Sequence, residues 1–399
     1  MSDSPPPNNI TPEKGRTAWV HIGCEKTGTS SIQKFLLENQ QTLTSEGLYF
    51  PIECGLLSNH RLHWIIEDNP DHHPFIYDPK SGLGDCLNAG REKITEEHYS
   101  KVKAFQRDHT HGSHVVYSSE HLHSRVYDPQ VIQNLKDWLS PLYDRIKVVV
   151  YLRRQDKLVL SAYSTHLRGG TTDTFIFPSA GTGSPYFGYR RLIDQWSDVF
   201  GKSDILIRQF EKTQLYKENI VDDFGNLVGF DFSSSIYEQP RKSNMSLSHA
   251  AKLCLIRINR KIADPRSAGS GTGSWLPLKE DFIKFVESNI KTADKDTDLA
   301  TRTDARDFYN RFANDNEKLF SDYQVGWNFS EDFTMYRESK ITVLSELLAD
   351  NEKSQDIKAC SEAHNDAATI RKQASEIVEK FASNTSQENQ ALIHSLNLI

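Results

Sequence analysis

The chain alternates short apolar runs with longer polar stretches. Residues 17–22 (TAWVHI) form one such run, which stops at Gly23 and so predicts a buried strand closed by a tight turn. Over residues 30–39 the apolar positions Ile32, Phe35, Leu36 and Leu37 recur at helical spacing. The order is strand, loop, helix. Further strands are predicted at 114–117, 146–152 and 204–208. The run 146–152 (IKVVVYL) is continuous enough for a parallel strand covered on both faces, and it leads into a helix ending near Leu167. Strands alternating with helices predict βαβ units around a parallel sheet, hence an α/β core.

Two stretches interrupt this alternation. Residues 55–95 carry many His, Asp, Asn and Pro residues and read as irregular. Residues 168–188 are rich in Gly, Thr and Ser, and a loop of this length in a compact domain is usually functional or disordered. From about Ser246 the pattern turns helical, at 247–262, 279–291, 303–322 and, more weakly, 335–399. Residues 1–16, with three prolines at 5–7, have little to bury and predict a disordered lead-in. The expected organisation is that lead-in, an α/β domain over 17–330, and a helical C-terminal extension over 331–399 that can serve as an interaction arm.

Composition narrows the function classes. The chain has 399 residues, 37% of them apolar, and 47 basic against 54 acidic side chains leave a formal charge of −7. Its average field does not attract nucleic acid or an anionic membrane, although a local basic cleft is compatible with it. No run reaches the length of a membrane span, and the N-terminus has no apolar core of a secretory signal, so a cytoplasmic protein is expected. Cysteines 24, 54, 86, 254 and 360 are odd in number and form no CxxC pair, which suggests neither a disulfide framework nor a zinc site. The fifteen histidines cluster at His60/His63, His72/His73, His109/His111/His114 and His121/His123. Without HExxH spacing or cysteine partners they read as surface or satisfied loop residues rather than metal ligands. Three glycosylation sequons at Asn244, Asn328 and Asn384 read as chance without a signal peptide.

The candidate chemistry begins at residues 23–31 (GCEKTGTSS). A glycine-bearing turn between a buried strand and a helix aims backbone N–H groups and a helix N-terminus at one spot, which suits an anion. Lys26 adds a positive charge, and the hydroxyls of Thr27, Thr29, Ser30 and Ser31 add donors. A Walker A loop requires its lysine directly after the second glycine. Gly23 and Gly28 have the right separation, but Thr29 stands where that lysine belongs. The register disfavours a nucleotide triphosphatase. The alternative for these residues is an ordinary helix start with hydroxyl caps.

Residues 26–31 resemble the loop K-[TGS]-G-[ST]-[ST] of the sulfotransferase family, whose donor is 3′-phosphoadenosine-5′-phosphosulfate (PAPS). That family's second motif places an Arg at a strand end, a Ser eight residues later and a Tyr two beyond, matched here by Arg153, Ser161 and Tyr163. The form Arg153-Arg154-Gln155 resembles the bacterial members. The resemblance covers roughly residues 17–335, including 207–211 and 244–248. It implies a P-loop-like three-layer fold around a parallel sheet. It further implies that Lys26, Thr27, Gly28, Thr29, Ser30 and Ser31 hold the 5′-phosphosulfate while Arg153 and Ser161 hold the 3′-phosphate. No metal is implied, because Lys26 and amide dipoles can do what Mg²⁺ does in kinases.

Sulfuryl transfer also needs a base for the acceptor. Glu120, following the strand at 114–117, is the leading candidate, and His121 and His123 are alternatives. As a plain structural residue Glu120 would be an acid favourable to a helix start. Arg168, Tyr186 and Arg190 are acceptor-side candidates. A carbohydrate is the expected acceptor, because the resemblance leans to the carbohydrate and bacterial branch. The competing classes are a P-loop kinase or NTPase, and a non-catalytic protein that binds 3′-phosphoadenosine-5′-phosphate (PAP).

Overall fold

The structure is a computed structural model describing residues 15–67, 87–109, 112–172, 177–239, 247, 249–263, 275–289, 300–336 and 361–384. The expected lead-in lies, apart from Gly15 and Arg16, outside the described residues, as do most of the motif at 244–248 and of the weak helical pattern after 336. The chain forms two compact units that are interleaved in sequence. The first comprises residues 1–154, 180–243 and 312–329, and the second 155–179, 244–311 and 330–399.

The first unit is built on β1 (Thr17–His21), β2 (Leu48–Tyr49), β3 (His114–Ser118), β4 (Arg145–Leu152) and β5 (Ile205–Gln209). All pair in parallel, in the order β2-β3-β1-β4-β5, with Thr17 opposite both His114 and Arg145. The α/β fold read from the apolar runs is therefore present, with the two-residue β2 added at an edge. Helices α1 (Thr29–Glu38) and α2 (Gln40–Ser45) lead from β1 to β2, and α3 (Leu62–Ile66) and α4 (Leu87–Asp108) lead on to β3. Helix α3 and the first nine residues of α4 fall inside the stretch expected to be irregular, 55–95. Helices α5 (His121–Ser124) and α6 (Pro129–Leu139) connect β3 to β4. The first strands of a parallel sheet must bury both faces. Trp19, Val116, Val149 and Tyr151 meet α1 and a helix at 220–228, while the alternate side chains face the other layer.

Local sequence sets several ends. Asp128 caps α6, its carboxylate accepting from the Gln130 amide at 2.8 Å, and Pro129 opens the helix where its missing N–H has no cost. After β4 come α7 (Gln155–Gly169), α8 (Tyr189–Phe200), β5 and α9 (Ile220–Val228). Asn219 caps α9 through the Val221 amide at 2.9 Å, and Gly229 closes it in the left-handed region.

The second unit contains α7, α10 (His249–Ala263), α11 (Trp275–Asn289) and α13 (Ser361–Ser383), while α12 (Arg302–Asp322) is divided between the units. Leu167, Cys254, Leu255, Ile258, Phe282, Ile377, Val378 and Phe381 share one core. Among the described residues the C-terminal extension is helical over Ser361–Ser383, and Ala374, Ile377, Val378 and Phe381 of that helix are buried within this unit.

One polar network lies inside the first unit. Glu53, almost fully buried, accepts from Tyr49 Oη at 2.9 Å and pairs with His98 Nδ1 at 2.9 Å. His98 Nε2 lies 2.8 Å from Tyr117 Oη, which is 2.6 Å from Tyr143 Oη. The His98 ring also stacks on Trp138 at 4.7 Å. A buried carboxylate is tolerable only with partners of this kind.

Candidate functional site at the carboxyl ends of β1, β3 and β4

The loop after β1 is shaped by close contacts that only glycine permits. The Ile22 amide donates to the Val149 carbonyl at 3.0 Å, so the chain leaves the sheet beside β4. A Cβ on Gly23 would come within 2.7 Å of Thr29 Oγ1 and 2.8 Å of its methyl. Lys26 holds a left-handed backbone with φ of 63°, and Gly28 follows at 81°. For lysine that conformation costs roughly 1–2 kcal/mol, a strain typical of ligand-binding turns. Gly28 is the N-cap of α1 and supplies no side-chain cap, so the leading amides of α1 point out of its N-terminus without a side-chain acceptor.

The hydroxyls of the loop divide into two groups. Thr27 and Thr29 are buried, and both donate to the Cys24 carbonyl, at 2.5 and 3.4 Å. They brace the loop from within, where the sequence suggested outward donors. Ser30 is exposed, and Ser31 and Lys26 are half-buried. Burial pushes the Cys24 thiol far up, so it is a packing group and not a nucleophile.

Arg153 follows β4 and joins this loop. Its Nη1 donates to the Lys26 carbonyl at 2.9 Å, and its guanidinium lies 5.6 Å from the centre of the Phe210 ring. Tyr189 Oη donates to the Arg153 carbonyl at 2.5 Å. Arg153 is half-buried, whereas Arg154 is only 3% exposed. The strand order reverses beside β1, which makes the adjacent carboxyl ends of β1 and β4 the usual place for a ligand in an open α/β sheet. Ser161 is half-buried on α7 and belongs to the second unit.

Glu120 lies just beyond β3. Gln33 of α1 donates through Nε2 to Glu120 Oε2 at 3.0 Å and to the Ser118 carbonyl at 3.2 Å, so the helix that starts at the loop also holds this carboxylate. His121 opens α5 with its ring 4.9 Å from that of His63. Burial, reinforced by Arg125, lowers the His121 pKa to about 4, and burial lowers His123 to about 4 as well. Both imidazoles are neutral at pH 7. His123 Nε2 lies 3.1 Å from the Tyr186 carbonyl, and Tyr186 Oη donates to Glu25 Oε2 at 2.8 Å. Behind them His21, at the end of β1, contacts Ser118 Oγ at 2.8 Å, and burial lowers its pKa to about 3. His21 Nε2, His121 Nδ1 and His123 Nδ1 are buried with no hydrogen-bond partner among the described residues.

The structure therefore gathers Lys26 to Ser31 with Arg153, and ties Glu120 to the same helix through Gln33. Of the acceptor-side candidates, Tyr186 reaches the loop. Arg190 instead pairs with Asp194 at 2.8 Å and Asp322 at 2.7 Å, and Arg168 is on α7 in the second unit. Glu25, Gln33 and Phe210 were not singled out from the sequence. For Gln33 a signal existed: a polar residue one helical turn after Thr29, amid the apolar Ile32, Phe35 and Leu36. No three His, Cys, Asp or Glu side chains converge on a metal-sized site, and no helix is long and apolar enough to cross a membrane, among the described residues.

No family model matches the chain, and no solved structure matches it. A relative from Archaeoglobus fulgidus, described as an uncharacterized protein, is 27% identical over 181 residues. That stretch is 44% of this chain and 45% of the relative, so the chain spans less than half of the relative's length.

Proposed function

We propose that the chain is a PAPS-dependent sulfotransferase that transfers a sulfuryl group to a hydroxyl or amine of an acceptor, a carbohydrate in the first instance, and releases PAP. The observation that carries this reading is the hydrogen bond from Arg153 to the Lys26 carbonyl, which joins the two phosphate motifs at the carboxyl ends of neighbouring strands. Uncapped α1 amides, the absence of a Cβ at Gly28, the half-buried Lys26 and the exposed Ser30 suit a phosphate.

In the reaction the acceptor oxygen forms a bond to sulfur as the bond from sulfur to the bridging phosphate oxygen breaks. Lys26 and the loop amides stabilise the charge that develops on the departing PAP. Glu120 takes the acceptor proton, held in place by Gln33, and neutral His121 is the alternative base. Arg153 grips phosphate as a planar fork.

The test is a thermal-shift comparison of PAP with ATP and Mg²⁺, on the wild type and Arg153→Ala. A ligand at 100 times its Kd adds about 2.7 kcal/mol, a shift of a few degrees. Stabilisation by PAP alone, lost in Arg153→Ala, is expected. Stabilisation by ATP and Mg²⁺ without PAP would return the chain to the kinase class.

A further inference from the structure

Helix α3 carries two different surfaces of the first unit. His63 meets the His121 ring, beside Glu120. Ile65, two residues on and so on the opposite side of the helix, lines a groove of about 730 Å³ between α4 and α6. That volume is in the ordinary range of ligand sites.

The groove has a prepared aromatic wall. Trp138 is stacked on His98 at 4.7 Å with planes 16° apart, its carbonyl accepts from Tyr99 Oη at 2.5 Å, and its Nε1 donates to Thr95 Oγ1 at 3.4 Å. His98 is itself locked by Glu53 and Tyr117. The rest of α4's lining is polar and balanced in sign: Arg91 and Lys103 against Glu92 and Glu96. Two carboxylates disfavour a polyanion, and four charged groups disfavour a purely apolar ligand. What fits a fixed indole and phenol bordered by hydrogen-bonding groups is a molecule with an apolar face and a polar edge. A sugar ring has that form, with C–H bonds on its faces and hydroxyls around its rim.

We propose that this groove binds an uncharged oligosaccharide and holds the sugars remote from the hydroxyl that Glu120 deprotonates. The acceptor role rests on the sulfotransferase reading above. Because the two surfaces are separated by a helix about 10 Å across, the occupant must be an oligosaccharide and not a single sugar.

The experiment titrates the full chain with cellotetraose, chitotetraose and a heparin tetrasaccharide, following ligand saturation-transfer signals by NMR. Thermal shift by PAP is measured on the same samples. Binding of a neutral tetrasaccharide is expected, weakened about tenfold in Trp138→Ala, as for a central aromatic anchor, with the PAP shift retained. Should Trp138→Ala fail to fold, the exposed Glu96→Ala and Lys103→Ala carry the test, with a weakening of about threefold in each. Absence of neutral-glycan binding, preference for heparin, or variants that bind like the wild type overturns the groove. Glycan binding without any PAP shift leaves the groove a glycan site and overturns its role as an acceptor subsite.

Discussion

The first unit contains two clusters that each pair a glutamate with histidine and tyrosine, and their differences separate architecture from chemistry. In the network of Glu53, His98, Tyr117 and Tyr143 both imidazole nitrogens and both carboxylate oxygens have partners within the protein. At the carboxyl ends of β1 and β3, His21, His121 and His123 each keep a buried nitrogen without a hydrogen-bond partner among the described residues. Glu120 is half-buried and, among the described residues, its carboxylate is held by the Gln33 amide. Buried polar atoms left unmatched are costly, and each calls for an explanation. The satisfied cluster fixes the position of Trp138; the unsatisfied one is where the proposed reaction puts its base.

The contrast can be broken most forcefully by neutralising each glutamate in turn. Glu120→Gln is expected to lower turnover about 10²–10⁴-fold while the melting temperature and PAP binding stay close to wild type. Glu53→Ala should do the opposite, destabilising by about 3–5 kcal/mol in urea titrations because His98 loses its buried partner, with kcat per folded molecule unchanged at saturating acceptor. If Glu120→Gln also unfolded the protein, the two clusters would be alike. A second expectation concerns acid. A histidine whose native pKa lies below its free value of about 6.5 binds its proton more readily in the unfolded chain. Stability is therefore lost as pH falls below about 6.5, and the loss continues to the native pKa of about 4 for His123 and about 3 for His21. By pH 5 each should account for about 2 kcal/mol, and unfolding midpoints of His123→Asn compared at pH 7 and 5 should show a shallower loss. Gly23→Ala sharpens the loop's side of the comparison: about 1–3 kcal/mol of destabilisation from the clash with Thr29, read by thermal melting. The smallest effect is at the ion pair of Arg190 with Asp322, where Asp322→Asn should change stability by less than about 1 kcal/mol and leave turnover intact.

Strands with continuous apolar runs were legible because burial on both faces leaves little else in the sequence; β1, β3, β4 and β5 fall within a residue or two of the apolar runs. The two-residue β2 was not, since its pairing with β3 depends on a neighbour distant in the chain. Helices α3 and α4 were obscured by histidines and charges. His63 and His98 are in fact buried, and a sequence pattern cannot distinguish a buried histidine with partners from a solvated one. The loop at 23–31 was legible as a glycine-bearing turn between strand and helix, but the inward rotation of Thr27 and Thr29 was not, because a hydroxyl's direction depends on the backbone around it. Gln33 and Phe210 act on residues far away in sequence, Glu120 and Arg153, and only tertiary structure brings them there.

The contact between Gly23 and Thr29 has a consequence for how this loop can vary. An added methyl at 23 collides with both the hydroxyl and the methyl at 29, so these positions, six apart, are not independent. Alanine at 23 becomes tolerable only when position 29 is trimmed, and Gly23→Ala with Thr29→Ala should recover part of what Gly23→Ala loses. Related chains should therefore be free to exchange a small residue after the first strand for a larger one only when the opening residue of the first helix shrinks in step. Such a paired exchange can be looked for in sequences alone, as a trace of the loop's geometry.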